Sequence, residues 1–192
     1  MLALLFMNKK DQKYLLQLSR RTLKKHFQNG EILQLEKDNL LNSLNEIKGV
    51  FVSLFENKRL RGCIGSLKGD RPIFQGVIEN SLASALFDPR FKPLEEKELE
   101  GIKIEISIIE PMKKMPDFKN SQDLLNYLDK NNPGILIKKG AFQATFLPQV
   151  WEELRTAEIF LSYLCEKAGL NKDQWKKMDL DIYEYKVTNF KE

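Results

Sequence analysis

The sequence predicts an α+β fold with antiparallel strand pairing. Strand-like runs come in pairs joined by short turns, at residues 50–66 and again at 134–147. Helical and strand periods alternate in the order ααββαβαββαβ, without the regular βαβ repeat of a parallel sheet. No stretch is rich enough in Gly or Ser to divide the chain, and no internal repeat appears. Over 192 residues this reads as a single domain. A chain of that length buries roughly 70% of its unfolded surface and needs no covalent staples.

The elements follow in order. Tyr14, Leu15, Leu18, Leu23 and Phe27 recur at helical spacing over residues 9–28, and Asn29-Gly30 suits the C-cap. Leu40, Leu41, Leu44 and Ile47 suggest a shorter helix closing at Gly49. From Val50 to Glu56 the run VFVSLFE is apolar on both faces except at Ser53, the pattern of a covered central strand. Asn57-Lys58 is a two-residue turn that returns RLRGCIGS, Arg59 to Ser66, antiparallel beside it.

Pro72 near a first helical position, with Asp70 placed to cap, opens a helix whose buried stripe is Phe74, Val77, Ile78, Ser81, Leu82, Ala85 and Leu86. Asp88-Pro89 ends it. Ile102 to Ile109 alternates as a strand stopped by Pro111, and Ser121 to Lys130 is a short helix closed by Asn131-Asn132-Pro133-Gly134. Gly134–Lys138 and Ala141–Leu147 form a second hairpin around Lys139-Gly140. Thr156 to Lys167 is an amphipathic helix ending at Gly169, Asn171 with Gln174 resembles a capping box, and Asp181 to Val187 closes the chain as a strand.

Composition excludes several function classes. The only two cysteines, Cys63 and Cys165, stand about a hundred residues apart, and His26 is the only histidine. That is neither a disulfide framework nor a metal-ligand spacing, so no metal and no cofactor is expected. A reducing cytoplasm is the natural compartment. The apolar start MLALLFM lacks a basic n-region and a cleavage site, and reads as a strand or helix docking on the core. No run approaches the roughly 20 residues of a membrane span.

The net charge of +4 is concentrated in one segment. Between Lys48 and Arg71 six basic residues face only Glu56 and Asp70, which accounts for the whole excess. Such a surface attracts a small anionic ligand. A nucleic-acid interface would show wider Lys/Arg clustering with interleaved aromatics.

RLRGCIGS lies inside that segment. In an extended strand Arg59, Arg61, Cys63 and Gly65 share one face, about 7 Å apart along the chain, while Leu60 and Ile64 mark the core side with Gly62 and Ser66. Cationic neighbours lower a thiol pKa, and the thiolate is the reactive form. Gly62 and Gly65 remove side chains and leave room for a ligand or another backbone near Cys63. The same alternation puts Glu105 and Ser107 together, which suggests an Arg61–Glu105 salt bridge and Cys63 near Ser107. Two readings of Cys63 stand at this point: a functional thiol, or a small buried residue filling space. Cys165 sits on the apolar side of its helix and reads as core. Asp88-Pro89-Arg90-Phe91 is a helix-terminating turn with Phe91 plugging the core, or a border of the Cys63 pocket; the two roles are compatible. Gln149, in LPQVW, is a polar residue placed to look into a cleft.

LRGCIG (60–65), DPRF (88–91), IEIS (104–107), FLPQVW (146–151), FLSYLCEKAGL (160–170) and Tyr183-x-Tyr185 occur in this order. Together they resemble the AMMECR domain family, whose prokaryotic members are called AmmeMemoRadiSam system protein A. The resemblance covers nearly the whole chain, except that residues 113–132 match no motif. It implies an antiparallel sheet flanked by helices, with a larger and a smaller lobe in one compact unit, the smaller near residues 111–147. It also implies partners: a Memo-type protein, similar to metal-dependent ring-opening dioxygenases, and a radical S-adenosylmethionine enzyme. With two cysteines the chain lacks the ligands for an iron–sulfur cluster of its own.

Three functions are compatible with these residues. A binding or adaptor module would use the octet with Asp88, Arg90, Ser107 and Gln149 as a partner surface. An enzyme would use Cys63 as nucleophile, Arg59 and Arg61 to orient an anionic substrate, and Glu105 as proton carrier. Nucleic-acid binding would rest on the basic segment alone.

Overall fold

The computed structural model describes residues 7–35 and 41–192. Residues 1–6, most of the apolar start, and Leu40 lie outside them. The chain is α+β as expected, and its described residues form two four-stranded antiparallel sheets. It divides into two units, residues 1–109 with 188–192, and residues 110–187. Among the described residues no helix is long and apolar enough to cross a membrane.

In the first unit, helix α1 (Lys9–Asn29) is capped by Asn8, whose side chain accepts from the Asp11 N–H. The strands are β1 (Gly49–Glu56), β2 (Arg59–Ser66) and β3 (Ile102–Ile109), completed by β8 (Val187–Lys191) in the order β2-β1-β3-β8. The short helix expected around Leu44 is a single 3-10 turn, Asn42–Asn45. Among the described residues of its apolar set Leu44 is buried while Leu41 and Ile47 are 49% and 56% exposed, so these residues form no apolar stripe to sustain a longer helix. Helix α2 (Ile73–Leu86) begins at Pro72, and Asp70 pairs with Arg71 instead of capping. One face of the sheet, carrying Val50, Val52, Leu54, Ile104 and Ile106, packs in a core with Leu15, Leu18 and Leu23 of α1 and Val77 and Leu82 of α2.

The β1–β2 turn is the expected one. Asn57 and Lys58 both have positive φ, 50° and 65°, as the two-residue hairpin turn matching strand twist requires. The strand it returns is irregular. Leu54 faces Gly62 while Phe55 faces Leu60, leaving Arg61 as an extra residue, a β-bulge.

In the second unit the strands are β4 (Lys113–Lys114), β5 (Gly134–Lys139), β6 (Phe142–Phe146) and β7 (Asp181–Tyr185), in the order β4-β7-β5-β6. The helices are α3 (Ser121–Asn131) and α4 (Ala157–Lys167). Trp151 stacks on Phe160, ring centroids 3.9 Å apart, within a core that includes Leu124, Leu128, Ile135, Leu161 and Cys165. Gln174 follows Asn171 in a turn, but its side-chain amide donates to Asp179, so no reciprocal capping box forms. The single closing strand expected over 181–187 is two: β7 in this sheet, then β8 in the sheet of the first unit. The second unit includes the segment near 111–147 and continues to Val187.

Close packing of α2 against β2 fixes one residue of the octet. A Cβ on Gly62 would lie 2.0 Å from the Ser84 carbonyl oxygen of α2, a backbone atom that cannot swing aside. Gly62→Ala is therefore expected to destabilise the protein by about 3 kcal/mol, the upper end of overpacking costs. Gly140→Ala, at φ 59° with nothing within 4 Å, should cost only about 1 kcal/mol of backbone strain. Chemical denaturation of both variants measures the difference.

Candidate functional site

The bulge reassigns the faces of the octet. Residues paired across antiparallel strands share a face. Cys63 pairs with Ser53 and Gly65 with Phe51, but beyond the bulge Leu60, not Arg59, joins Phe55 on that face. Leu60 is accordingly not core: it is 37% exposed. Arg59 pairs with Glu56, and both border an open hollow of about 530 Å³ with Asn57, Leu60, Arg61 and Phe91. Phe91, expected to plug the core, is half-buried there.

Arg61 does not meet Glu105. Its guanidinium donates to Glu98 at 2.8 Å and to the Lys92 carbonyl at 2.8 Å, tying β2 to the loop after α2. The Arg61 hydrogen bond is the main cause holding the Glu98 carboxyl below its ordinary pKa. Glu105 instead accepts from Asn189 Nδ2 of β8, at 3.0 Å, and the same amide donates to Ser107.

Cys63 still has company on its face. Ser53 of β1 pairs with Cys63 on one side and Glu105 on the other, so thiol, hydroxyl and carboxylate form one row across three strands. Ser53 Oγ donates to Cys63 Sγ at 3.1 Å. Ser107 lies one row over, diagonal to Cys63. Cys63 is half-buried and free, and Cys165 is buried with its thiol pKa pushed up by burial.

The strongest interactions grip the backbone of Cys63. Asp88 Oδ2 accepts from the Cys63 N–H at 2.8 Å, and Arg90 Nη2 donates to the Cys63 carbonyl at 3.2 Å. The two side chains also pair with each other, at 2.7 Å and 2.9 Å, and Asp88 Oδ1 accepts from the Arg90 N–H. The expected helix-ending turn is thus also bound to the backbone of Cys63. The Asp88 side chain is 2% exposed and that of Arg90 55%. Hydrogen bonds from Arg90 foremost, then from the Cys63 and Arg90 N–H groups, hold the Asp88 carboxyl far below its ordinary range against the opposing effect of burial. Arg90 is held above its ordinary value chiefly by Asp88, with a smaller contribution from the Cys63 thiol.

The place of a side chain at both glycines is already filled. Gly62 abuts Ser84, and the space of a Gly65 side chain is filled by Phe51, whose Cγ would lie 2.4 Å from a Cβ there. Beside Gly62 the Ser84 hydroxyl accepts from the Ile64 N–H and donates to the Val52 carbonyl, bridging the ladder between β1 and β2.

Cys63, Asp88 and Arg90 are in direct contact, Glu105 shares the Cys63 row across Ser53, and Ser107 lies in the next row. Arg61 is bound to Glu98 and Arg59 borders the open hollow, while Gln149 belongs to the second unit, in the 3-10 turn Pro148–Glu152. Ser53 and Asn189 are the residues that sequence reasoning passed over. Ser53 carried a signal, as the lone polar residue in VFVSLFE; Asn189 carried none, since it lies beyond the expected last strand.

Of the basic segment, Lys48 pairs with Glu46, Arg61 with Glu98, and Arg71 with Asp70 and Glu79. Acidic residues outside the segment neutralise much of what appeared as local excess.

The depressed Asp88 pKa fixes the sign of a pH effect. A carboxylate stabilised in the folded state adds stability above its unfolded pKa of about 4, and that stability fades as pH falls toward the folded value. Asp88→Asn is expected to be about 2 kcal/mol less stable than the parent at neutral pH, through weakened bonds to the partly buried Cys63 and Arg90 N–H donors. The gap should close progressively below about pH 4. Denaturant titrations across that range check it.

Similarity to known proteins agrees with this architecture. The AMMECR1 family profile matches residues 16–190. A protein of Methanopyrus kandleri is 33% identical, covering 93% of this chain and 87% of its own length. One of Thermofilum pendens is 31% identical over 93% of this chain and 88% of its own. The crystal structure of a Pyrococcus horikoshii protein superposes with a TM-score of 0.84 at 29% identity, covering 97% of this chain and 93% of that one. With a family match spanning both units and archaeal relatives above 30% identity, the chain belongs to the AMMECR1 family.

Proposed function

We propose that the chain is a binding component that presents the rigid Cys63 surface to protein partners, the Memo-type and radical S-adenosylmethionine proteins implied by its sequence motifs. The observation that carries this reading is the Asp88–Arg90 grip on both peptide groups of Cys63. It commits a buried carboxylate and a guanidinium to holding one stretch of edge strand in place. Preorganised surfaces bind partners with less ordering cost. Phe87, next to this grip and 73% exposed, is the kind of aromatic anchor on which interface energy concentrates.

A second reading has Cys63 as a thiolate acting on a small anionic substrate. The Ser53 hydrogen bond to Sγ and the nearby Arg90 guanidinium favour it. Against it, Arg61 is taken by Glu98 and Arg90 by Asp88, which leaves neither free to orient an anion. Nucleic-acid binding is the weakest reading, because so many cations of the basic segment are paired.

Co-purification of the chain with each proposed partner separates the first two readings. The parent and Cys63→Ser should retain a partner that Phe87→Asp, whose grip is intact, loses by about tenfold or more in affinity, the effect of one hot-spot residue. Retention of both partners by Phe87→Asp and by Arg90→Ala would refute the surface proposed. Alkylation of Cys63 at neutral pH should be no faster than that of an ordinary exposed thiol. A markedly faster reaction, together with loss of a turnover in Cys63→Ser, would establish the thiolate reading instead.

A further inference from the structure

A separate cavity lies wholly within the second unit, in a stretch to which no sequence motif assigned a role. Its volume is about 130 Å³, close to the ~150 Å³ apolar cavity that accommodates benzene. Met115 and Trp175, both buried, contribute to its floor, and Phe118 and Met178 line it further. Lys114, Asp117 and Asp181 are its charged lining residues, and all three are exposed, so the cavity has a polar, solvent-facing rim. The strand pairing that builds it is short: β4 meets β7 through Lys113 and Lys114 alone, and Met115 N–H then donates to the Ile182 carbonyl at 2.9 Å.

The chemistry of the lining is one-sided. The indole N–H of Trp175 is taken by Ser162 Oγ at 3.2 Å, so the ring offers its electron-rich faces and not its donor. Phe118 offers another π-face, and the two methionines offer polarizable thioethers. Lys114 is the one cation of the lining, and it is paired with Asp181 at 2.5 Å. Asp117 also acts on Lys114, adding to the effect of Asp181 in raising its pKa. Two carboxylates against one ammonium leave the rim with a net charge of −1. The Trp175 indole already attracts a cation, since Lys176 Nζ stands 5.3 Å from its ring centroid while pairing with Asp173 and Glu158. An anion would meet no free donor here; a neutral apolar group would leave the carboxylates unused. An organic cation with an alkyl coat satisfies both the π-faces and the rim.

We propose that this cavity binds a small alkylammonium group, its alkyl surface against Trp175, Phe118 and Met178 and its charge toward Asp117 and Asp181. Lys114 is the built-in competitor, holding Asp181 when no ligand is present.

The test titrates tetramethylammonium chloride into the full chain and follows the Trp175 indole N–H and the Met115 and Met178 methyl groups by NMR. Sodium chloride at equal ionic strength and the neutral isostere 3,3-dimethylbutan-1-ol serve as controls. Saturable shifts at those groups are expected with tetramethylammonium and with neither control. Asp117→Asn, an exposed and conservative change, should weaken binding about threefold to fivefold, the worth of one exposed charge interaction. Lys114→Gln should tighten it by a similar factor by releasing Asp181. Absence of saturation, equal binding of the neutral isostere, or weaker binding by Lys114→Gln would each overturn the proposal and leave only an apolar void.

Discussion

The buried carboxylate of Asp88 is the constraint on which the first unit's sheet edge depends. β2 is an edge strand, and such an edge presents N–H and C=O groups that have no neighbouring strand to pair with. At Cys63 both groups are occupied, the N–H by Asp88 and the carbonyl by Arg90. A carboxylate almost wholly out of water is tolerable only because three hydrogen bonds from Arg90 and one from Cys63 N–H, all charge-assisted, replace its solvation. The count of bonds to Asp88 includes both side-chain and main-chain donors of Arg90, so the turn and the ion pair stand or fall together. The pair therefore acts less as a source of stability than as a lock, ending α2, closing the edge and fixing one peptide unit.

That lock explains why the octet looks unlike a strand. Gly62 is there because the Ser84 carbonyl occupies the place of a side chain, and Gly65 because Phe51 does. The Ser84 hydroxyl then bridges Ile64 N–H and Val52 carbonyl, two residues paired across the strands. With helix and strand so close, the two glycines are packing residues. They bring α2 and Phe51 against the strand and do not open a path to the thiol. What is left for function is the row Cys63–Ser53–Glu105 and the exposed groups around it.

Much of the fold was legible because its signals were local. Asn57-Lys58, Lys139-Gly140 and Thr156 each act through neighbours in the chain, and each element they bound formed where expected. The errors have a common cause in long-range geometry. The single extra residue at Arg61 inverts the parity of everything before it, moving Leu60 onto the Cys63 face and Arg59 off it. No local pattern marks a bulge whose purpose is to let Arg61 reach Glu98, 37 residues away in sequence. Likewise β7 and β8 read as one strand because only Lys186 separates them, yet they belong to different sheets. The turn at Asp88–Arg90 was legible because it is local, whereas its hold on Cys63, 25 residues away, was not; the Arg61–Glu105 pair failed because it rested on an unbroken alternation.

The same reasoning limits what net charge can say about function. A segment with six cations and two acids looks like an anion-seeking surface only while its partners are sought within the segment. Folding brings Glu46, Glu79 and Glu98 against Lys48, Arg71 and Arg61. Whatever each pair adds to stability, together they screen the field that would steer a polyanion. Charge that is spent on joining loops to strands is unavailable for ligands. The functional weight then shifts from the number of cations to the few side chains whose positions are over-determined, and in the first unit those converge on the backbone of Cys63.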